Sequence, residues 1–526
     1  MQRSIKIASR GSELALWQAE FVQSQLKELG VNSEIKIIKT QGDKIQKLSL
    51  DKLEGKGFFT KELEEALLAK KADLAVHSHK DLPTESPEGL IIAAVSYREN
   101  PCDLIIMRKE CVEMRKKYRL KQGAIVGTSS PRRKSQLLGY RPDVVIKDLR
   151  GNVPTRIEKL RSGDCDAIIL AAAGIERLNI DLSEFHVEKP DAKEFVPAPA
   201  QGVMAMQTRA DDHELIAILQ HLNHPDVQEC IAIERKVLNL FKGGCQLPLG
   251  VYCEKEEDSD LFKVWSAMAK KWDAPLRTLY TESTKPDLLS ARIVSKLNAF
   301  KPVSVYISRN LREDDFFFQV LNANKCETHG IALIETVRIT APKIPDVDWI
   351  FFSSKHAVRH FMGQTKVKVG TRIAAVGKGT SDELRKFNLR ADFIGGSSDT
   401  NSTAKQFAAL AGRSRVLFPQ AKGSLKTVQQ QLPAAKVIDL TVYETLSRPA
   451  DNIPACDVMV FTSPSNVDAF FLVNTVSPKQ KIVAMGHATG NALKEKGVVS
   501  FGTTDSFDDA GLVRAVMSMS LTDSKK

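Results

Sequence analysis

The sequence predicts a multidomain α/β protein with largely parallel sheets, and three observations carry that reading. The chain has 526 residues, too many for one core at roughly 100–200 residues per domain. Short β-type runs alternate with helical patterns over most of its length, the signature of strands joined through helices. From Val303 onward, the pattern starts again and then echoes itself.

In the first series, residues 4–9 alternate as a strand, and 13–29 carry a helical pattern with Ser12 at the N-cap position. Strands are predicted at 34–40, 72–78, 89–96, 124–128 and 166–172, and helices at 61–70 and 153–162. Residues 196–202, Val-Pro-Ala-Pro-Ala-Gln-Gly, interrupt the alternation and suit a segment that carries the chain back to an earlier domain. The acidic stretch 254–260 reads as a surface turn in a smaller α+β unit, and the linker is placed at 299–302.

In the second series, which opens with the strand pattern 303–308, residues 348–358 (DWIFFSSKHAV) are matched by 457–467 (DVMVFTSPSNV), and 373–380 (IAAVGKGT) by 482–489 (IVAMGHAT). Each is a buried strand opening through Ser, Gly or Thr into a helix. Two such sets predict two similar lobes with a ligand between them, where strand C-termini and helix N-termini converge.

Composition narrows the function classes. Hydrophobic residues make up 43% and charged residues 26%, as in ordinary globular chains. The longest strongly apolar run, 167–175, is far short of the ~20 residues that cross a bilayer. The first residues lack a signal peptide's apolar core, so a cytoplasmic protein is expected, with no membrane partner. None of the eight cysteines stands in a C-x-x-C spacing, so neither disulfides nor a metal site is expected. The formal charge of +11 points to an anionic partner. The basic residues are scattered and no Lys/Arg stripe is interleaved with aromatics, which argues against nucleic acid and fits a polycarboxylate or phosphate ligand.

Four strand-to-helix junctions of the first half place Arg or Lys beside Ser or Thr: Ser9-Arg10-Gly11-Ser12, residues 77–81, residues 127–133, and residues 149–156. In the third, Ser130 can cap a helix and Pro131 suits its first position, leaving backbone N–H groups for an anion. Arginines at such mouths add bidentate carboxylate recognition. One junction alone is as well explained by a surface ion pair; four together describe a cleft for several carboxylates. Lys80-Asp81 reads either as an exposed ion pair or as a carboxylate aimed into the cleft to stabilise a developing cation. Cys245, in Gly243-Gly244-Cys245-Gln246, is either a small buried residue or an exposed thiol able to form a covalent attachment. Val251 stands where a C-x₅-R motif needs arginine.

Residues 1 to about 298 resemble porphobilinogen deaminase (hydroxymethylbilane synthase) through ASRGSELALWQA, GKGFFTKELEEALL, AVHSHKDLP, GTSSPRR, LRGNVPTR, ILAAAGIERL, PAQG and GGCQLPLG, in order. The resemblance implies that four porphobilinogen molecules are joined head to tail with loss of ammonia, on a dipyrromethane cofactor linked through a thioether to Cys245, with no metal. It maps the essential aspartate onto Asp81 and its partner lysine onto Lys80, and the carboxylate-binding set onto Arg10, Ser12, Ser129, Arg132, Arg133, Arg150, Arg156 and Arg177. His77 and His79 are expected to pack or face solvent. Porphobilinogen carries an acetate and a propionate, so a growing oligomer is a polyanion, as an arginine-lined cleft requires.

Residues 302–520 resemble uroporphyrinogen-III synthase through DWIFFSSKHAV, AAVGKGTSDEL, RVLFPQAKG, VYET, FTSPSNVDAFF and AMGHATGNAL. That family closes the linear bilane while inverting its last ring. Ser354, Thr380, Ser463, Ser465 and Thr489 are then expected to donate to substrate carboxylates, and Tyr443 to help the hydroxyl leave; a tyrosine here equally well just packs. The two resemblances together imply two periplasmic-binding-protein-like α/β domains (1–97 with 197–217, and 103–192), a small cofactor-carrying α+β domain (222–298), and two Rossmann-like or flavodoxin-like lobes (303–338 with 446–520, and 345–440). The expected partners are small polycarboxylate pyrroles, acting on a monomer or weak homo-oligomer. A deaminase followed by a non-catalytic anion-binding module, and a basic nucleic-acid regulator, are the alternatives left open.

Overall fold

The computed structural model describes residues 4–40, 60–242, 246–257, 259–342, 344–396 and 400–519. The chain forms two compact units, Met1–Asn298 and Ala299–Lys526.

The first unit holds three sheets. One runs in the order Ser33–Ile37, Ile5–Ser9, Leu74–Ser78, Met204–Arg209, Leu90–Val95, and a second in the order Val145–Lys147, Ile125–Gly127, Ala167–Ala171, Asp103–Met107, His186–Glu188. The predicted strands are present, most within two residues of their expected ends; the second begins one residue earlier and stops at Ile37 rather than Thr40. The expectation of largely parallel sheets needs correction here. Met204–Arg209 and Asp103–Met107 are each antiparallel to both neighbours. Each is entered by a segment crossing from the other sheet rather than through a strand–helix–strand unit, so the parallel crossover rule does not govern its direction.

The two crossing segments run side by side: Ser96 N–H donates to the Met204 carbonyl at 3.0 Å and Glu99 N–H to Gly202 at 3.1 Å. Gly202 has φ +91°, and a Cβ there would lie 2.3 Å from the Glu99 oxygen, so only glycine allows this approach. The third sheet is an antiparallel meander, Leu249–Lys255, Phe262–Met268, Arg277–Ser283. Helices Pro225–Leu240 and Pro286–Ala299 cover it, burying Ile233, Val237, Leu289 and Ile293 against Val251, Val264 and Leu279. The acidic stretch predicted as a turn joins its first two strands; Asp258 lies outside the described residues.

The second unit holds two sheets. The first, Glu327–Gly330, Ser304–Ile307, Val458–Phe461, Lys481–Ala484, Gly502–Thr503, is parallel throughout. The second runs Ile334–Arg338, Val437–Ser447, Val416–Ala421, Trp349–Phe352, Arg372–Ala375, Phe393–Ile394. Ile334–Arg338, expected with the first lobe as part of 303–338, pairs antiparallel with Val437–Ser447 in the second sheet. The outgoing and returning connections between lobes hydrogen-bond to each other as a ribbon, and Ile334 at its start still packs against the core around Tyr306 and Phe461. Both members of the echoed pair are built alike. Ser354 (φ −160°, ψ 157°) and Ser463 (φ −165°, ψ 160°) each cap a helix, accepting the N–H three residues on.

Candidate active sites

In the first unit, the loops after Ile5–Ser9 and Leu74–Ser78 leave one end of the first sheet, because these strands are parallel. The loops after Ile125–Gly127 and Val145–Lys147 likewise leave one end of the second. Asp103 opens an antiparallel strand and pairs with Ala171, which puts it at that same end. Ser12 and Ser130 hold N-cap positions as expected, but neither hydroxyl caps its helix.

Asp103 organises this region. Its buried carboxylate accepts from Arg132 Nη1 at 2.6 Å, Arg133 Nη2 at 2.7 Å, Arg133 Nε at 3.1 Å and Gln201 Nε2 at 3.1 Å. Burial alone would raise its pKa, yet the two guanidiniums hold it well below the ordinary carboxylate range. Arg132 and Arg133, expected to reach into an open cleft, are themselves buried, and Arg133 also donates to the Ile169 carbonyl at 3.0 Å. Gln201 ties the two sheets together: its Oε1 accepts from Lys80 Nζ and from Arg132 Nη2, each at 3.4 Å, while its Nε2 donates to Pro101 O at 2.7 Å.

Lys80 lies half-buried rather than in a solvated pair. Burial lowers its pKa to about 8, with Asp81 opposing and Arg133 adding to the fall. Asp81 is exposed in the short turn His79–Asp81, near enough to be felt by both Lys80 and Arg156. Arg156 donates from Nε to Gly151 O at 2.8 Å, and its pKa falls to about 10 through burial and the neighbouring Arg133 and Arg150. Arg177 is buried, donates to Gly202 O at 2.7 Å and sits over the Trp17 ring, and its Nε has no hydrogen-bond partner. Arg10 and Ser12 are half-buried at the first sheet's loop. Ser129, also implied by the resemblance, spends its hydroxyl on the Leu149 backbone, accepting from N and donating to O at 3.0 Å each.

His77 and His79 are buried, and desolvation lowers their pKa values to about 4 and about 3, so both are neutral packing groups. Cys245 lies outside the described residues. The helix leading toward it, Pro225–Leu240, is pinned by Glu234, which pairs with Arg98 at 2.7 Å and accepts from the backbone N–H of Ala200 and Cys253. Asp103, Gln201 and Glu234 escaped sequence reasoning. Gln201 alone left a signal, because it lies within the PAQG motif.

In the second unit, Tyr443 pairs across from Arg338 in the ribbon and is buried. Its hydroxyl lies 3.1 Å from Ser354 Oγ, and the His360 ring stacks on it at 5.1 Å and 16°. Thr336 Oγ1, at 2.9 Å from Nε2, holds that imidazole. Burial raises the Tyr443 pKa and the Ser354 contact partly offsets the rise. Thr380 and Thr489 are buried at their helix mouths, and Thr489 donates to its own helix at Met485 O, 3.0 Å. Ser465 is exposed in the first turn after Ser463.

The structure thus defines a multidomain α/β scaffold whose first unit gathers Lys80, Arg132, Arg133, Arg150 and Arg156 at facing sheet ends, and whose second is two-lobed. A profile described as porphobilinogen deaminase, dipyromethane cofactor binding domain, matches residues 5–217, and one described as uroporphyrinogen-III synthase HemD matches 316–514. The porphobilinogen deaminase of Chloroherpeton thalassium is 43% identical over 270 residues, covering 50% of this chain and 83% of its own. That of a Nitratiruptor species is 45% identical over 257 residues, covering 49% and 81%. The chain belongs to the porphobilinogen deaminase family through its first half, followed by a uroporphyrinogen-III synthase domain. A solved uroporphyrinogen-III synthetase from Helicobacter pylori aligns over 40% of this chain and 98% of its own at 17% identity and a TM-score of 0.30, too slight a likeness to carry weight. Among the described residues no helix is long and apolar enough to cross a membrane.

Proposed function

We propose that the two units catalyse successive steps. The first joins four porphobilinogen molecules into hydroxymethylbilane with release of ammonia, and the second closes the bilane with inversion of its last ring to uroporphyrinogen III. The two profile matches support this sequence of reactions. The observation that carries it is the crowding of cations at the facing sheet ends: Arg156 is pushed down by Arg133 and Arg150 as well as by burial. Bound carboxylates would relieve that repulsion.

The same excess charge, with the unpartnered Nε of Arg177, fits a dipyrromethane whose side chains are carboxylates. When attached, the dipyrromethane supplies the growing end on which pyrroles are added. Lys80, Arg132, Arg133 and Arg150 would hold it, with Ser129 fixing their loop through Leu149 and Cys245 as the attachment point. Arg10, Ser12, Arg150, Arg156 and Arg177 would hold the incoming substrate. Asp81 is exposed at the cleft, where its carboxylate can face the positive charge that develops near the pyrrole nitrogen as ammonia departs. In the second unit, Tyr443, held by Ser354, would assist departure of the bilane hydroxyl. Ser354, Thr380, Ser463, Ser465 and Thr489 would line the cleft, and catalysis there is chiefly orientation of a reactive substrate.

The seven described cysteines are all buried and unpaired, which supports action in a reducing cytoplasm. The partners proposed are small polycarboxylate pyrroles, with the protein a monomer or weak homo-oligomer and no nucleic acid involved. The test is the intact mass of the purified protein together with porphobilinogen consumption. The wild type should carry the added mass of two pyrroles, and Cys245→Ala should show the bare chain mass and no turnover. Full activity at bare mass would contradict the assignment.

A further inference from the structure

The cleft of the second unit contains an acidic segment of its own chain. Between Gly502–Thr503 and the helix Asp509–Met519 lies Asp505-Ser506-Phe507-Asp508. Asp508 caps that helix, its Oδ1 accepting from Gly511 N–H at 2.8 Å and from the Ser506 hydroxyl at 2.7 Å. Phe507 touches both lobes. A Cβ on Gly486 would fall 2.3 Å from its ring, and one on Gly379 would fall 2.9 Å from its carbonyl oxygen. These glycines lie at the starts of helices Gly486–Glu495 and Lys378–Arg385, the two mouths that carry Thr489 and Thr380. The segment therefore covers the donors that the echoed sequence sets place toward the ligand.

Its carboxylates meet cations from both lobes. Asp509 accepts from Arg309 Nη2 at 2.9 Å, at the end of the strand Ser304–Ile307. Lys355, the first residue of the helix Lys355–Met362, lies within the fields of both Arg309 and Asp509, and Lys378 within that of Asp508. The nearby Arg359 is already matched by Glu383 at 2.7 and 2.9 Å. Arg309, Lys355 and Lys378 thus form a basic group facing the cleft, with Asp508 and Asp509 among their counter-ions; Arg309 also donates to Asp315 at 3.2 Å, and Asp508 feels Arg514 before Lys378.

We propose that Arg309, Lys355 and Lys378 recognise the carboxylates of the linear tetrapyrrole, and that Asp508 and Asp509 are internal stand-ins which those carboxylates displace. The inference rests on the reading of this unit as the ring-closing synthase and adds charge recognition to the hydroxyl donors named above. A bilane carries two carboxylates on every pyrrole, and neutral hydroxyls at helix mouths leave that charge unmatched. Burial and the Arg309 charge lower the Lys355 pKa, so an arriving carboxylate finds a cation that gains by pairing. Displacement is open to the Arg309–Asp509 pair, whose side chains are 19% and 32% exposed, so an arriving carboxylate can reach it.

The test uses the full chain and hydroxymethylbilane, reading the KM for type III ring formation, which reports on the second unit alone. Asp509→Asn should lower KM roughly threefold, by removing a competing carboxylate. Asp508→Asn, which keeps a good helix cap, should act in the same direction. Lys355→Gln should raise KM about tenfold, the loss expected for one charge-assisted hydrogen bond, with kcat less affected. Type III product formed with a KM indifferent to all three substitutions would overturn this inference and leave the synthase reading standing. A wild-type chain that forms no type III product would overturn both.

Discussion

Replacing Asp103 with Asn tests how the first site is held together. The substitution keeps the shape of a fully buried side chain but removes the charge that faces Arg132 and Arg133, both of which are less than a tenth exposed. Three charge-assisted contacts, from Arg132 Nη1 and from Arg133 Nε and Nη2, would then meet an amide. Removing one partner of a buried ion pair costs about 3–5 kcal/mol. The contacts share one carboxylate and are not additive, so that range applies to the cluster. Urea unfolding followed by tryptophan fluorescence suits the purpose, because Trp17, Trp265 and Trp272 lie in the first unit and only Trp349 in the second. At a denaturant slope of about 3 kcal/mol/M, the midpoint of the first unit should fall by roughly 1–1.7 M.

Asp103 also gives this prediction a pH signature. Its folded pKa is depressed, so its stabilisation is complete above the unfolded value of about 3.9 and is lost only as pH falls through the folded value. The gap between wild type and Asp103→Asn should therefore stay constant from neutral pH down to about pH 4 and narrow below it. A midpoint shift under about 0.3 M, or a gap that closes near neutral pH, would refute the reasoning.

Other outcomes follow from the same geometry. Asp81→Asn should reduce porphobilinogen turnover by about 10²–10³ while substrate-bound protein still accumulates, as seen by intact mass; near-normal turnover would leave Asp81 with no more than a surface role. Because the Lys80 pKa lies at about 8, its charge is present below that pH and lost above it. Porphobilinogen turnover should thus fall between about pH 7 and about pH 9, and Lys80→Arg should flatten the profile. Tyr443→Phe should slow enzymatic closure until the spontaneous route competes, giving a mixture of type I and type III rings by chromatography. If Tyr443 only packs, the product stays type III.

The strand and helix series was legible because it rests on periodicity, and the lobe echo because Ser354 and Ser463 are the same cap made twice. The two antiparallel strands were not, since direction depends on crossing segments that carry no periodic signal. The arginine-rich helix mouths were visible in sequence, but their counter-ion was hidden. Asp103 reads there as a charge at the start of an apolar run, and only the fold shows two guanidiniums closing on it. Asp508 and Asp509 likewise read as ordinary residues ahead of a helix. Their placement against Arg309, Lys355 and Lys378 comes from bringing positions some 130 to 200 residues apart together, which no local pattern encodes.

One chain is proposed to carry both activities, and the ring isomer formed from porphobilinogen reads both at once. Unaided closure of hydroxymethylbilane gives the symmetric type I ring, so inversion can come only from the second unit. The full chain, supplied with porphobilinogen alone, should yield uroporphyrinogen III. Type I product from the intact chain would contradict the account.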